Sequence, residues 1–261
     1  MVQAVTVSEM LYGHGLEADF FGCRIVALAG AYGLAQPFVR FWRQSQGAYL
    51  ACLDGSAVLS GTGTADWEEL QAFLPAAGVR SVLCDAAVAV HLPAFPVQAD
   101  GVVLARMREG GAAVPEHELN PGPRELYSLL KQCETNTFRA PPFEGFYLDL
   151  SHRTRHGAAV SVAVRENGGE LAACAFSTVQ TASLAVISGV AVRPGCRGKG
   201  LGSQVVRALQ AHLSAPRVCV YRARGENEAF YRALGFQQSA SFVELRVLPE
   251  QPERLMRRLI E

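Results

Sequence analysis

The stretch from Ala182 to Leu213 constrains this chain more than any other. It opens with an apolar run, Ala182 to Val192, that has Gly189 inside it. After a turn containing Pro194 comes the loop Arg197-Gly198-Lys199-Gly200-Leu201-Gly202. The segment Leu201 to Leu213 follows at once, with Leu201, Val205, Leu209 and Leu213 spaced by four. The first part reads as a strand and the last as an amphipathic helix with one apolar face. A strand that passes through three alternate glycines directly into such a helix implies an α/β layer, with the helix laid over a sheet. Glycines at 198, 200 and 202 let the backbone approach a ligand closely and take positive φ. The helix start directs unpaired N–H groups and a positive dipole end at the same point. Arg197 and Lys199 add charge. This loop is expected to hold a phosphate or pyrophosphate.

Two common phosphate loops do not fit. A P-loop needs Ser or Thr directly after Gly-Lys, whereas Lys199 is followed by Gly200. A dinucleotide fingerprint needs G-x-G-x-x-G opening the first strand–helix unit, whereas here the spacing is G-x-G-x-G and lies late in the chain. Around the loop, Ala158–Arg165 and Glu170–Ser177 read as strands joined by Glu166-Asn167-Gly168-Gly169. Arg217–Tyr221 and Phe242–Leu248 read as strands, Asn227–Leu234 as a helix stopped by Gly235, and 250–261 as a terminal amphipathic helix. A hairpin followed by strand, helix, strand, helix, strand predicts a mixed sheet.

The first half is less strongly patterned. Asp54-Gly55 between β-prone runs, 48–53 and 56–60, is a hairpin signal. Asp66 with Glu69 three residues on marks a helix start. Arg80–Asp85 and Gly101–Met107 read as strands, while 20–29 and 34–42 could be strand or helix. The order hairpin, helix, strand is a shorter version of the order in the second half. It is consistent with a degenerate internal duplication and equally with any α+β domain. Residues 109–124, rich in Gly, Pro and charge, read as a linker, and Pro123 opens a helix with Leu126, Leu129 and Leu130 on one stripe. The expected domains are 1–110, a diverged N-terminal α/β domain, and 120–248, with a helix at 249–261.

Lys plus Arg and Asp plus Glu balance at 24 each, so no global field attracts nucleic acid or an anionic membrane. No apolar run reaches the ~18 residues of a membrane helix, and Met1–Met10 carries no leader-like pattern. The seven cysteines are widely spaced without a CxxC pair, so no metal or redox site is expected and a reduced, cytoplasmic protein is. Cys196, next to the glycine loop, is read as a small spectator.

Arg197, Gly200 and Gly202 match the acyl-CoA loop Arg/Gln-x-x-Gly-x-Gly/Ala of the GNAT superfamily of N-acetyltransferases. The preceding run Ile187-Ser188-Gly189-Val190-Ala191-Val192-Arg193-Pro194 resembles the fourth strand of that fold. The later run Asn227-Glu228-Ala229-Phe230-Tyr231-Arg232-Ala233-Leu234-Gly235-Phe236 resembles its second signature. The resemblance covers 120–248 and is similar to two-part GNAT proteins whose N-terminal half has diverged. It implies a mixed sheet of GNAT type, acetyl-CoA as cosubstrate and direct acetyl transfer to a primary amine on a small molecule or peptide, with no nucleic acid, membrane or metal involved.

By the same resemblance, pantetheine would lie along Val190, Ala191 and Val192, and a backbone N–H at or next to Val190 would polarise the thioester carbonyl. The pyrophosphate would sit on Arg197, Gly198, Lys199, Gly200, Leu201, Gly202 and Ser203. Gly189 would mark a bulge that splays the strands, or be a weakly packed glycine. Tyr231 is the expected proton donor to the departing thiolate. Asn227 would bind cofactor or cap its helix; Phe230 would contact cofactor or fill core. The family often carries a Glu base on the fourth strand, where this chain has Ser188 and no acid. Glu144, Asp149, His152 and Glu226 are candidates by position alone. The segment 141–147 would line an acceptor pocket or close the core, and 151–156 reads as an exposed turn.

Overall fold

The computed structural model describes residues 1–12, 14–45, 47–108, 113–136, 138–166 and 169–247. The expected terminal helix, Leu248, Asn167-Gly168 and the linker residues 109–112 lie outside them. In chain order the elements are β1 (Val2–Ala4), α1 (Gly22–Tyr32), β2 (Val39–Gln44), β3 (Ala48–Leu53), β4 (Ser56–Gly61), α2 (Trp67–Ala76), β5 (Ser81–Asp85), α3 (Ala86–Ala89) and β6 (Val97–Met107). These are followed by β7 (Glu118–Leu119), α4 (Pro123–Gln132), α5 (Phe143–Arg155), β8 (Val160–Arg165), β9 (Leu171–Ser177), β10 (Val179–Gln180), β11 (Leu184–Ile187), β12 (Gly189–Val192), α6 (Leu201–His212), β13 (Arg217–Ala223), α7 (Glu228–Ala233) and β14 (Gln237–Arg246). The chain forms two compact units. One comprises Met1–Val102 with the residues from Ala240 onward; the other is Val103–Ser239.

In the first unit the strands run β1-β2-β3-β4-β5-β14. All neighbours are antiparallel except β4 and β5. Alternation along β3 sends Leu50 and Cys52 into one apolar cluster with Leu70 and Leu74 of α2, and Ala51 into another with Ile25 and Leu28 of α1. The sheet is therefore covered on both faces. The hairpin at Asp54-Gly55 closes with both residues at positive φ, 47° and 84°, as a type I′ turn requires. The ambiguous run 20–29 is helical from Gly22, and its wide buried face explains why periodicity alone did not decide it. Asp66 caps α2 by accepting the Glu69 N–H at 3.0 Å. Asp66→Ala is expected to cost about 1 kcal/mol, read as a fall in the urea midpoint at unchanged slope. Residues 242–246 pair with β5, and Val243, Leu245 and Val247 join the core of this first unit.

In the second unit β8, β9 and β12 form an antiparallel sheet with β7 at its edge, and β11 lies between β10 and β13. Every residue of β9 is buried. Cys174 and Phe176 face α4 and α5, where Leu126, Leu129, Leu130 and Leu150 complete a core. α6 packs on β8 and β9. A strand covered on both faces is apolar throughout instead of alternating, which the small residues of LAACAFS satisfy. The segment 143–155 is a helix, so Ser151–Arg155 is its last turn and not an exposed turn: Ser151 and Arg153 are buried. Arg153 is held by Asp149 at 2.7 Å and donates to the Thr178 carbonyl at 3.0 Å. The order in the first unit, a helix, antiparallel strands, a helix, β5 parallel to β4 and a helix, resembles that in the second, where two helices precede the strands and β13 runs parallel to β11. Among the described residues no helix is long and apolar enough to cross a membrane.

Candidate functional site

The run Ala182–Val192, expected as one strand, is two. β11 pairs in parallel with β13 as far as Ile187 opposite Val220. From Gly189 the chain pairs instead with β9, Gly189 opposite Phe176 through Val192 opposite Ala173. The Ser188 N–H also donates to the Phe176 carbonyl, at 2.8 Å. Two residues thus face one, which is a β-bulge. The Ser188 hydroxyl is bound to Thr178, accepting its N–H at 3.1 Å and meeting its hydroxyl at 2.9 Å. Gly189 is required here because a Cβ would overlap the Phe176 ring. Gly189→Ala is expected to cost about 1–3 kcal/mol by overpacking, seen as a lowered Tm.

Beyond the bulge β13 continues to Ala223 while β12 pairs with β9, and a cleft opens beside β12. Its wall has a fixed polarity. The Arg193 N–H donates to the Ala172 carbonyl at 2.9 Å, and Ala191 stands opposite Cys174, so these residues spend their backbone groups on β9. By alternation the N–H and C=O groups of Val190 and Val192 point the other way. The Val192 carbonyl accepts from Cys133 Sγ at 3.3 Å and from Arg197 Nε at 3.2 Å.

The glycine loop closes one end of the cleft. Gly198 and Gly200 have φ of 77° and 79°, a region open to glycine and strained for other residues. α6 starts at Leu201, so the N–H groups of its first turn have no partner within the helix. A Cβ on Gly202 would lie 3.2 Å from Phe230 and 3.4 Å from Val192. A cleft of ≈ 520 Å³ lined by Val190, Ala191, Val192, Arg197, Gly202, Asn227, Phe230 and Tyr231 adjoins one of ≈ 230 Å³ lined also by Gly198, Gly200, Leu201 and Ser203. Of the site residues read from the sequence, Lys199 alone lines neither. Its ammonium is 3.3 Å from Glu166, which also binds Arg193 at 2.6 Å. The Lys199 bond, followed by that of Cys196, holds the Glu166 carboxyl below the usual range.

Tyr231 is 7% exposed. Burial pushes its phenol up to about 12, against the opposing charge of Arg222. Its ring packs edge-on against Phe230 and Phe236 at 4.9 and 5.7 Å. Asn227 has φ 52°, makes no side-chain cap bond to α7 and lines the cleft. Among the four candidate bases only Glu226 lines the cleft. Glu144, Asp149 and His152 are on α5, where Asp149 is engaged by Arg153 and the His152 ring meets that of His156 at 4.4 Å. The aromatics of 141–147 divide. Phe146 meets Phe176 in the core at 5.9 Å, while Phe143 and Tyr147 stack with Arg124 at 5.3 and 5.1 Å.

Sequence reasoning did not identify Cys133, Thr135 and Phe138, which also line the cleft. Thr135 and Phe138 close a tight turn after α4 by Thr135 N–H to the Phe138 carbonyl and Phe138 N–H to the Thr135 hydroxyl. The Thr at the end of a helix was the available signal. All seven cysteines are buried thiols. Among the described residues no cluster of three or more His, Cys, Asp or Glu could hold a metal ion.

The segment 157–238 matches the family model described as acetyltransferase (GNAT) domain. Residues 157–238 are a GNAT domain. Both motifs of the cleft, the glycine loop and the Asn227–Phe236 segment, fall inside that match, whereas Cys133, Thr135 and Phe138 precede it. The fold of the whole chain is that of two-part GNAT proteins. A tandem GNAT protein from the clavulanic acid biosynthesis pathway superposes with a TM-score of 0.58 at 15% identity, covering 96% of this chain and 100% of its own. A GCN5-related N-acetyltransferase from Kribbella flavida gives 0.58 at 17%, covering 86% and 95%. A Drosophila protein gives 0.68 at 15%, covering 96% and 99%. No curated protein matches the sequence.

Proposed function

We propose that this protein is an N-acetyltransferase that moves an acetyl group from acetyl-CoA to a primary amine by direct transfer, with 120–248 as the catalytic domain, 1–110 as a diverged GNAT-like half, and the cytoplasm as its place of action. The observation that carries this reading is the bulge at Ser188–Gly189. It turns the backbone groups of Val190 and Val192 into a cleft that runs into the glycine loop. An extended amide-bearing chain such as pantetheine pairs with such an edge as an added strand would. Its pyrophosphate then meets the free N–H groups of Gly200 to Ser203 and the Arg197 guanidinium. The contacts of Gly202 with Phe230 and Val192 let the backbone approach closely and leave a side chain little room.

In the reaction the Val190 N–H stabilises the oxyanion, the amine attacks the thioester carbon, and Tyr231 gives its proton to the departing sulfur. The attacking amine has a pKa of ~10 and must be deprotonated; in this reading Glu226, the candidate base that lines the cleft, accepts that proton. The acceptor is a small molecule or peptide carrying a primary amine. A CoA-release assay against a panel of amines tests the reading. The protein should bind acetyl-CoA saturably and release thiol with at least one amine. Absence of saturable binding overturns it.

A second reading, a GNAT domain that binds CoA without transferring its acyl group, is favoured by Ser188, which stands where the family often carries its base. It predicts thermal stabilisation by acetyl-CoA, ~2.7 kcal/mol at a hundred times Kd, and thiol release with no amine.

A further inference from the structure

Arg153 is a buried cation that the chemistry above leaves unused. It stands in the last turn of α5 and is 4% exposed. Its Nε donates to Asp149 at 2.7 Å, one turn back along the helix, and its Nη1 donates to the Thr178 carbonyl at 3.0 Å. Thr178 lies between β9 and β10 and belongs to neither. Its carbonyl is outside the strands and takes its hydrogen bond from Arg153 instead. A guanidinium is planar and its donors point in fixed directions. Holding Asp149 with one donor and Thr178 with another therefore fixes the Thr178 peptide relative to α5.

The other polar groups of Thr178 bind the bulge. Its N–H donates to the Ser188 hydroxyl at 3.1 Å, and its own hydroxyl meets that group at 2.9 Å. The Ser188 N–H in turn donates to the Phe176 carbonyl at 2.8 Å. Close by, the buried Ser177 hydroxyl donates to the Val179 carbonyl at 3.2 Å. Two neighbouring stretches thus break at the same place, β9 at Thr178 and the run 184–192 at Ser188, and side chains supply the bonds there. The links from α5 towards the cleft wall are continuous: Asp149 to Arg153, Arg153 to Thr178, Thr178 to Ser188. Val190, which lines the cleft, is two residues beyond Ser188. A bulge re-aims the strand that carries it, and a catalytic donor has to be held within about 0.5 Å of its productive place.

We propose that Arg153 is a positioning residue for acetyl transfer: through Thr178 and Ser188 it fixes the bulge, and with it the direction of the Val190 N–H. The proposal rests on the reading of Val190 as the oxyanion donor given above. Arg153 is not among the residues that line the cleft; it acts through these bonds. The glycine loop does not depend on them, so the loss of Arg153 falls on the chemical step and spares cofactor binding.

The test uses the full chain with Arg153→Gln, Arg153→Lys, Ser188→Ala and the double variant Arg153→Gln/Ser188→Ala. Arg153→Gln and Ser188→Ala should each lower kcat about 10-fold, a part of the ~10²–10³ that loss of an oxyanion donor costs, with the Kd of acetyl-CoA unchanged. Arg153→Lys, which keeps the charge and one donor at a time, should lose less. The double variant should be no slower than the singles, because the two residues act in series and their effects are not additive. Unchanged kcat in Arg153→Gln, an equal fall in kcat and in acetyl-CoA affinity, or multiplied effects in the double variant overturns the proposal. If Arg153→Gln does not fold, the same cycle with Arg153→Lys decides by the same outcomes. A second reading needs no turnover. In isotope-labelled free protein, Arg153→Lys should shift the amide signal of Val190 and leave those of 198–202 in place, and an unshifted Val190 signal overturns the proposal. Failure of the transfer reading shows separately, as wild-type protein that releases no thiol with any amine.

Discussion

Tyr231→Phe is expected to lower kcat by about 10²–10⁴-fold while leaving the affinity for acetyl-CoA almost unchanged. Phenylalanine keeps the ring that packs against Phe230 and Phe236 and removes only the hydroxyl. A residue that merely packs on pantetheine would tolerate the change. A phenol held near 12 stays protonated across the working range, so Tyr231 contributes no falling limb to the rate at mildly alkaline pH. It is also a weak acid towards a thiol of about 8.5, so donation has to coincide with departure of the sulfur. The same burial links Tyr231 to alkaline stability. In the unfolded chain the phenol ionises near 10, in the folded chain near 12. Between those values the folded state holds the extra proton, so stability falls as pH rises through that window. Tyr231→Phe should flatten this part of the melting-temperature profile. Equal turnover in wild type and variant would remove Tyr231 from the mechanism.

Gly202→Asp is expected to weaken acetyl-CoA binding by about 100-fold or more with little loss of fold. The position is the second of α6, where a carboxylate is favoured by the helix dipole by about 0.3–1 kcal/mol. Its Cβ would stand 3.2 Å from the end of the Phe230 ring and 3.4 Å from Val192, so these side chains have to give by a few tenths of an ångström. The added charge, however, sits where both parts of the cleft meet, since Gly202 lines each of them. Like charges brought together in a binding site cost several kcal/mol, and 2.7 kcal/mol is already about a hundredfold. Calorimetric titration with acetyl-CoA checks it. An unaltered Kd with a normal melting temperature would show that the phosphates bind elsewhere.

The glycine loop, α6, the Asp54-Gly55 hairpin and the Asp66 cap were legible because each is a local device whose partners lie within a few residues. Three features were not. The break at Ser188 depends on Phe176 and Thr178, on another strand, so the run Ala182–Val192 looks continuous on its own. Helix α5 is interrupted by Gly145 and carries exposed Leu148, which blurs its apolar period although Phe146 and Leu150 face the core. The pairing of 242–246 with β5 spans some 160 residues of sequence, and periodicity says nothing about which strand is the neighbour. At the site, the motif residues were readable down to Ser203, whereas the fate of Lys199 was not. Its charge is taken by Glu166, and a cation in a loop does not announce its partner.

The core of the first unit holds Val243, Leu245 and Val247 beside Leu59, Val82 and Cys84. These late residues are made only after the whole of Val103–Ser239 has been synthesised. The half of the protein synthesised first therefore cannot finish folding first. It waits with the β5 edge unpaired, the kind of exposed strand that invites aggregation, while the second unit is built. The unit begun first is the one completed last in this chain. Early termination anywhere before Ala240 would leave an N-terminal unit without its last strand, even where the GNAT segment is complete.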